Sequence, residues 1–195
     1  CEEVVGRSVL DFVYRGFKTK PSPFMDTPMS QSDCVYCGSC VTVCPVGALV
    51  EKDRIGKGRT WEIKKVKTVC PYCGTGCTID LNVKDGKVIG VTGNPEGDVN
   101  GRFLCVKGRF GYEFIHSDNR LKKPLIKKDG EFKEASWDEA LNLIASKLNE
   151  IKEKNGANSI GILSSARCTN EENYLMNKFA RAVIGTNNID HCARL

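Results

Sequence analysis

No stretch of this chain is apolar over anything near the roughly 20 residues a helix needs to cross a bilayer. A helical membrane span is therefore not expected. Histidine is almost missing, with 2 among 195 residues; His116 and His191 each read as structural rather than as metal ligands. Long runs of one charge are missing too. The 29 Lys and Arg against 24 Asp and Glu leave a formal charge of +5, with the cations scattered in short runs such as Lys64-Lys65 and Lys122-Lys123. That pattern reads as a solvated face, so no nucleic-acid partner is expected. The first residue is Cys1 and not methionine, which places the native start upstream and leaves an export signal open.

Cysteine is abundant by contrast, with 11 in the chain. Most of them fall into two sets. Cys34-x2-Cys37-x2-Cys40-x3-Cys44-Pro45 has the spacing of the bacterial ferredoxin run. Cys70-x2-Cys73-x3-Cys77, with a distant Cys105, supplies four more thiols. Soft thiolates at this spacing suit a 4Fe-4S cube, which needs four of them converging on it. Tight C-x2-C spacings near predicted strands and turns favour metal over disulfides, and so a reducing, cytoplasmic setting.

In two-cluster ferredoxins the fourth cysteine of each run binds the other run's cluster. On that pattern Cys34, Cys37 and Cys40 take Cys1 as their fourth ligand, and Cys44 serves a run lying upstream of Cys1. The plainer arrangement is one local cluster on Cys34, Cys37, Cys40 and Cys44, with Cys1 idle. For Cys70, Cys73, Cys77 and Cys105 the rival is structural zinc, which four thiolates also satisfy. Three clustered cysteines and one alone fit a cube better than the paired C-x2-C of a zinc ribbon. Cys168 and Cys192 have no such neighbours and read as small buried hydrophobes.

The expected fold class is a multi-module α+β and α/β chain. Residues 1–55 form a ferredoxin-like iron–sulfur module, poor in long helices and interrupted by Pro21, Pro23 and Pro28. Residues 56–62 read as a linker. Residues 63–118 form a small β-rich 4Fe-4S domain, with strands over Thr78–Val83 and Lys87–Thr92 and a hairpin turn at Asp85-Gly86. Residues 119–195 begin an α/β, parallel-sheet domain. There Ser136 and Glu139 make a capping box. Trp137, Leu141, Ile144, Leu148 and Ile151 form one helical stripe, and Asn155-Gly156 stops the helix. A strand over Ser159–Leu163, a polar loop over Ser164–Asn170 and a second helix with Leu175, Phe179 and Val183 inward follow. Gly185 ends that helix and Ile189 starts another strand, completing the unit of a parallel sheet.

Four stretches carry a family resemblance: Thr68-Val69-Cys70-Pro71-Tyr72-Cys73, Cys105-Val106-Lys107-Gly108, Ser136-Trp137-Asp138-Glu139-Ala140-Leu141, and Lys178 through Leu195. From Val66 onward the sequence resembles the large subunit of formate dehydrogenases, within the molybdenum/tungsten bis-pterin guanine dinucleotide oxidoreductases. The last stretch is the most specific to formate dehydrogenases. The Cys70 set and Trp137-Asp138-Glu139-Ala140 are shared with nitrate reductases. Residues 1–55, with Gly16-Phe17-Lys18-Thr19-Lys20 and Cys44-Pro45-Val46-Gly47-Ala48-Leu49, look like the ferredoxin-type module of NAD-linked or ferredoxin-linked members. The same module occurs in iron hydrogenases and an NADH–quinone oxidoreductase subunit.

The resemblance implies interconversion of formate and carbon dioxide at molybdenum or tungsten held by molybdopterin guanine dinucleotide, with 4Fe-4S clusters as the exit. It implies an acceptor that is a partner subunit, a ferredoxin or an NAD(P)-linked diaphorase. Lys107 is placed between cluster and pterin. Arg167 and Asn170 sit where the loop before the second helix would meet the cofactor's pyrophosphate, although Asn170 equally suits a helix cap. The catalytic selenocysteine or cysteine is expected immediately after Leu195, none lies within the chain, and a UGA codon closing the reading frame is the matching expectation. A boundary unrelated to the protein is the plainer one. The rival functions are a stand-alone iron–sulfur electron carrier and a zinc-binding interaction module.

Overall fold

The structure, a computed structural model, describes residues 1–192. The position after Leu195 that was expected to be catalytic lies outside the described residues. The chain divides into two compact units: Cys1–Cys70 with Thr75–His116, and Pro71–Gly74 with Ser117 onward. Among the described residues no helix is long and apolar enough to cross a membrane.

The first unit opens with an antiparallel hairpin of β1 (Asp11–Val13) and β2 (Lys20–Ser22). Asp26 clamps it by accepting from Lys20 Nζ at 2.8 Å, Tyr14 Oη at 3.0 Å and Ser22 Oγ at 2.6 Å. The Lys20 bond, then those from Ser22 and Tyr14, push the Asp26 carboxyl down to about 2. Short single-turn helices follow, then α1 (Ser39–Val43). A three-stranded antiparallel sheet comes next, in the order β3 (Lys64–Val69), β4 (Thr78–Lys84), β5 (Lys87–Gly93).

The β4–β5 turn falls where the sequence places it. Asp85 (φ 49°) and Gly86 (φ 75°) both take the left-handed conformation that a two-residue hairpin turn demands. Ile79 and Val91 are buried on the sheet, with Leu104 and Cys70 also among the buried residues of this unit. Alternation sends Asp80 and Asn82 to the opposite face, and they are buried too. Asp80 is satisfied there, accepting from Asn94 Nδ2 at 2.7 Å. The short helix α2 (Val106–Phe110) packs against β5. Beyond it Tyr112 Oη donates to the Ile89 carbonyl at 3.1 Å, and His116 Nε2 accepts from the Val88 N–H at 2.9 Å. His116 is therefore a structural histidine.

In the second unit β6 (Leu125–Lys128) and β7 (Glu131–Glu134) form a hairpin turned at Asp129-Gly130. The helix α3 (Trp137–Asn155) starts at Ser136, whose Oγ accepts from the Glu139 N–H at 3.1 Å. Only half of the expected capping box forms. Glu139 instead accepts from Lys128 Nζ at 2.8 Å, because the β6 lysine brings a full charge where the cap offers only an amide. Gly156 (φ 83°) ends the helix as expected. Along the apolar stripe, Trp137, Leu141, Ile144 and Ile151 are 38–69% exposed.

The strand β8 (Ile162–Ser165) starts later than Ser159, because Ala157–Ser159 winds one tight turn first. The helix α4 (Asn170–Lys178) then widens into a π turn over Phe179–Ile184. That wider turn rotates the later residues past their 3.6-residue positions. Ala180 and Ile184 are buried, while Leu175 and Val183, expected inward, are 58% and 57% exposed. After Gly185 the strand β9 (Ile189–Cys192) pairs parallel with β8, from Ile162 opposite Ile189 to Ser165 opposite Cys192. Strand, helix and parallel strand are the anticipated α/β unit.

Candidate functional site

The ferredoxin-type run wraps around α1. Cys34, Cys37 and Cys40 line a cleft whose other walls include Cys1, Val5, Val9, Leu10 and Met29. Cys1 reaches it because its Sγ accepts from the Val9 N–H at 3.4 Å as the N-terminal loop turns back. Cys44 is not in the lining. Thus the structure brings together Cys1, Cys34, Cys37 and Cys40 and leaves Cys44 outside the cleft. Among the described residues no group of three or more His, Cys, Asp or Glu is placed to hold a metal ion. A four-iron cube is larger than one ion and takes its thiolates at separate corners. Four sulfur donors around an apolar hollow fit that group.

Hydrogen bonds reach several of these thiols. The Tyr36 N–H lies 3.3 Å from Cys34 Sγ, and Cys37 Sγ donates to Ser39 Oγ at 3.3 Å. Burial, with smaller contributions from Cys37 and Cys34, raises the Cys40 thiol's pKa, partly countered by the Val41 amide. Bound iron would reverse that cost by stabilising the thiolate. Cys44 goes the other way. The Leu49 amide, then those of Val46, Ala48 and Gly47, lower its pKa despite some burial.

For the second set, Cys70 donates its N–H to the Cys77 carbonyl at 2.8 Å, which closes the loop between β3 and β4. Cys105 stands at the N-cap of α2. That helix carries Gly108, whose missing Cβ would lie 3.6 Å from Cys70 Sγ. Cys70, Cys77 and Cys105 belong to the first unit, while Cys73 falls in the Pro71–Gly74 segment. Lys107 is exposed on α2, two residues after Cys105.

The loop before α4 differs from expectation in one respect. Thr169, not Asn170, is the cap: its Oγ1 accepts from the Glu172 N–H at 3.2 Å, and Glu172 Oε2 accepts from the Thr169 N–H at 2.7 Å. Asn170 is the first residue of the helix, so capping does not explain it. Glu171 and Glu172 also place carboxylates in the first turn, where they compete with any anion for the helix N-terminus. Arg167 lies over the Tyr72 ring, 5.6 Å from its centroid, within the second unit. Cys192 is exposed rather than buried, 3.4 Å from Ser165 Oγ. Ser165, then the Ala166 amide and more weakly the Arg167 charge, lower its thiol pKa.

Sequence reasoning missed the buried pair of Arg109 and Glu51 and their half-buried neighbour Thr42, beside the Cys37 turn. Arg109 is 72 positions from the carbonyl it binds, so no spacing motif links them.

An iron–sulfur assembly followed by a cofactor-binding α/β domain is the class of protein these features define. Family models match three segments of the chain. A 4Fe-4S binding domain matches residues 28–50, the molybdopterin oxidoreductase Fe4S4 domain matches 63–117, and molybdopterin oxidoreductase matches 120–195. The chain therefore carries the Fe4S4 and molybdopterin oxidoreductase domains, and these support iron–sulfur clusters and molybdopterin as its cofactors. It is 42% identical to "Probable oxidoreductase YjgC" of Bacillus subtilis and 41% identical to "Putative formate dehydrogenase SAR2393" of Staphylococcus aureus. Each alignment covers 87% of this chain and 21% of the relative, so the chain spans about a fifth of those relatives' length.

Proposed function

We propose that this chain is the electron-exit portion of a formate dehydrogenase catalytic subunit, which interconverts formate and carbon dioxide. The observation that carries the redox half of the reading is the apolar cleft framed by Cys1, Cys34, Cys37 and Cys40. The formate half rests on the Lys178–Leu195 resemblance and on relatives bearing that name. When bound, the molybdenum or tungsten pterin supplies the two-electron oxidation of formate.

The chain's own residues hold and tune what surrounds it. Cys1, Cys34, Cys37 and Cys40 bind one 4Fe-4S cluster; Cys44 serves a further one. Cys70, Cys73, Cys77 and Cys105 bind another. Lys107 sets a cation beside that last group and toward the pterin, while Arg167 and Asn170 offer a charge and an amide to the cofactor. A partner subunit, a ferredoxin or an NAD(P)-linked diaphorase accepts the electrons. A second reading, an oxidoreductase of the same family with another substrate such as nitrate, is favoured by the relative whose name specifies none.

The full-length protein, isolated without oxygen, decides between them. Molybdenum or tungsten bound near one per chain, with a dye reduced when formate is added, is the expected result. A loaded enzyme that reduces nitrate and ignores formate would overturn the formate assignment.

A further inference from the structure

Arg109 is 2% exposed and its partner Glu51 6%. A guanidinium is costly to bury unless its donors are met, and here three nitrogens reach three separate acceptors. Nε donates to the Cys37 carbonyl at 2.9 Å, Nη1 to Glu51 Oε1 at 3.0 Å, and Nη2 to Thr42 Oγ1 at 2.6 Å. Cys37 precedes α1, Thr42 lies within it and Glu51 follows it.

The fit leaves no slack. A Cβ on Gly38 would fall 2.4 Å from Arg109 Cδ and 2.5 Å from Nε, and Gly38 already holds the left-handed φ of 69°. At its other end Arg109 is fixed by α2, its N–H donating to the Cys105 carbonyl at 3.1 Å. One residue thus bonds by side chain to Cys37 and by backbone to Cys105.

We propose that Arg109 is a positioning residue that locks the ligand turn at Cys37 to the helix opening at Cys105, fixing the two cysteine sets at one separation and balancing the charge of Glu51 beside the first. The inference rests on the cluster reading given above. Lysine cannot replace it, because one ammonium lacks the planar fork that reaches acceptors in three directions. Distance and charge follow separately. Loss of the fork frees the Cys37 turn, and loss of the cation leaves a buried carboxylate that favours the oxidised state of a nearby cluster.

The test uses the full-length protein, loaded anaerobically and reduced with dithionite, with iron and sulfide counted per chain. Electron paramagnetic resonance then reads the magnetic interaction between the two reduced clusters, and a potentiometric titration reads each midpoint. Arg109→Met should lower the first cluster's midpoint and weaken the interaction. Arg109→Lys should keep the midpoint near the parent's and still weaken the interaction. Selective loss of iron from the first set in Arg109→Met supports the same role. Should that variant fail to load at all, Arg109→Lys and Thr42→Val decide by their spectra. Spectra and midpoints matching the parent in fully loaded variants, or equal iron loss from both sets in all of them, overturn it. A parent protein without iron and sulfide would sink the cluster reading instead.

Discussion

Lys107 is exposed two residues beyond Cys105, on a helix too short to be held by its own hydrogen bonds. Its value is therefore its charge and not its packing. A cation beside an anionic iron–sulfur centre favours the reduced state and so raises the reduction potential. We expect Lys107→Met in the complete enzyme to lower formate-dependent turnover about tenfold, roughly 1.4 kcal/mol of barrier, with little change in KM. Steady-state kinetics with a saturating acceptor checks this, and an unaltered turnover number overturns that role for its charge. Cys192 is the opposite lesson at the same scale. Its isolation in the sequence suggests a buried hydrophobe. The parallel pairing of β8 with β9 sets it instead on an exposed edge against Ser165.

Among the elements, the β3–β4–β5 sheet carries Cys70 directly after β3 and Cys77 directly before β4. Asn100 holds the return of the chain to it. Its Oδ1 accepts from the Thr78 N–H at 2.8 Å, and its Nδ2 serves the carbonyls of Thr78 at 3.1 Å, Gly101 at 2.8 Å and Phe103 at 3.0 Å. Leu104 and Cys105 follow directly. Asn100→Ala leaves these groups unmet and should cost about 2 kcal/mol of stability. Denaturant unfolding measures it, and an unchanged midpoint contradicts the clamp.

This is also the scale at which sequence reading succeeds and fails. Asp85-Gly86 announces its hairpin because few residue pairs tolerate two left-handed positions in a row. Ser136 and Gly156 bound α3 for equally local reasons. The wide turn after Lys178 has no such local cause, so a 3.6-residue period places Val183 inward where the structure exposes it. Glu139 left its cap for Lys128, and Thr169 took the cap from Asn170. Both are choices among near-equal partners that only tertiary placement resolves.

At the scale of the whole molecule, few apolar side chains are buried among the described residues. Ile79, Val91 and Leu104 serve the first unit, with Ile160, Ala180 and Ile184 in the second. Modules this lean depend on their metal centres for stability, since loop-rich segments of such size cannot bury enough surface alone. The cysteine spacings were legible because ligand geometry is local in sequence. The joining of the sets was not, because Arg109 and Cys37 meet only after the chain has folded between them.

The most direct measurement is the inorganic content of the anaerobically prepared protein, taken together with its spectrum. Iron and acid-labile sulfide in equal amounts, and a paramagnetic signal on dithionite reduction, are what the account predicts. Zinc without sulfide, in a colourless protein that gives no signal, would contradict it.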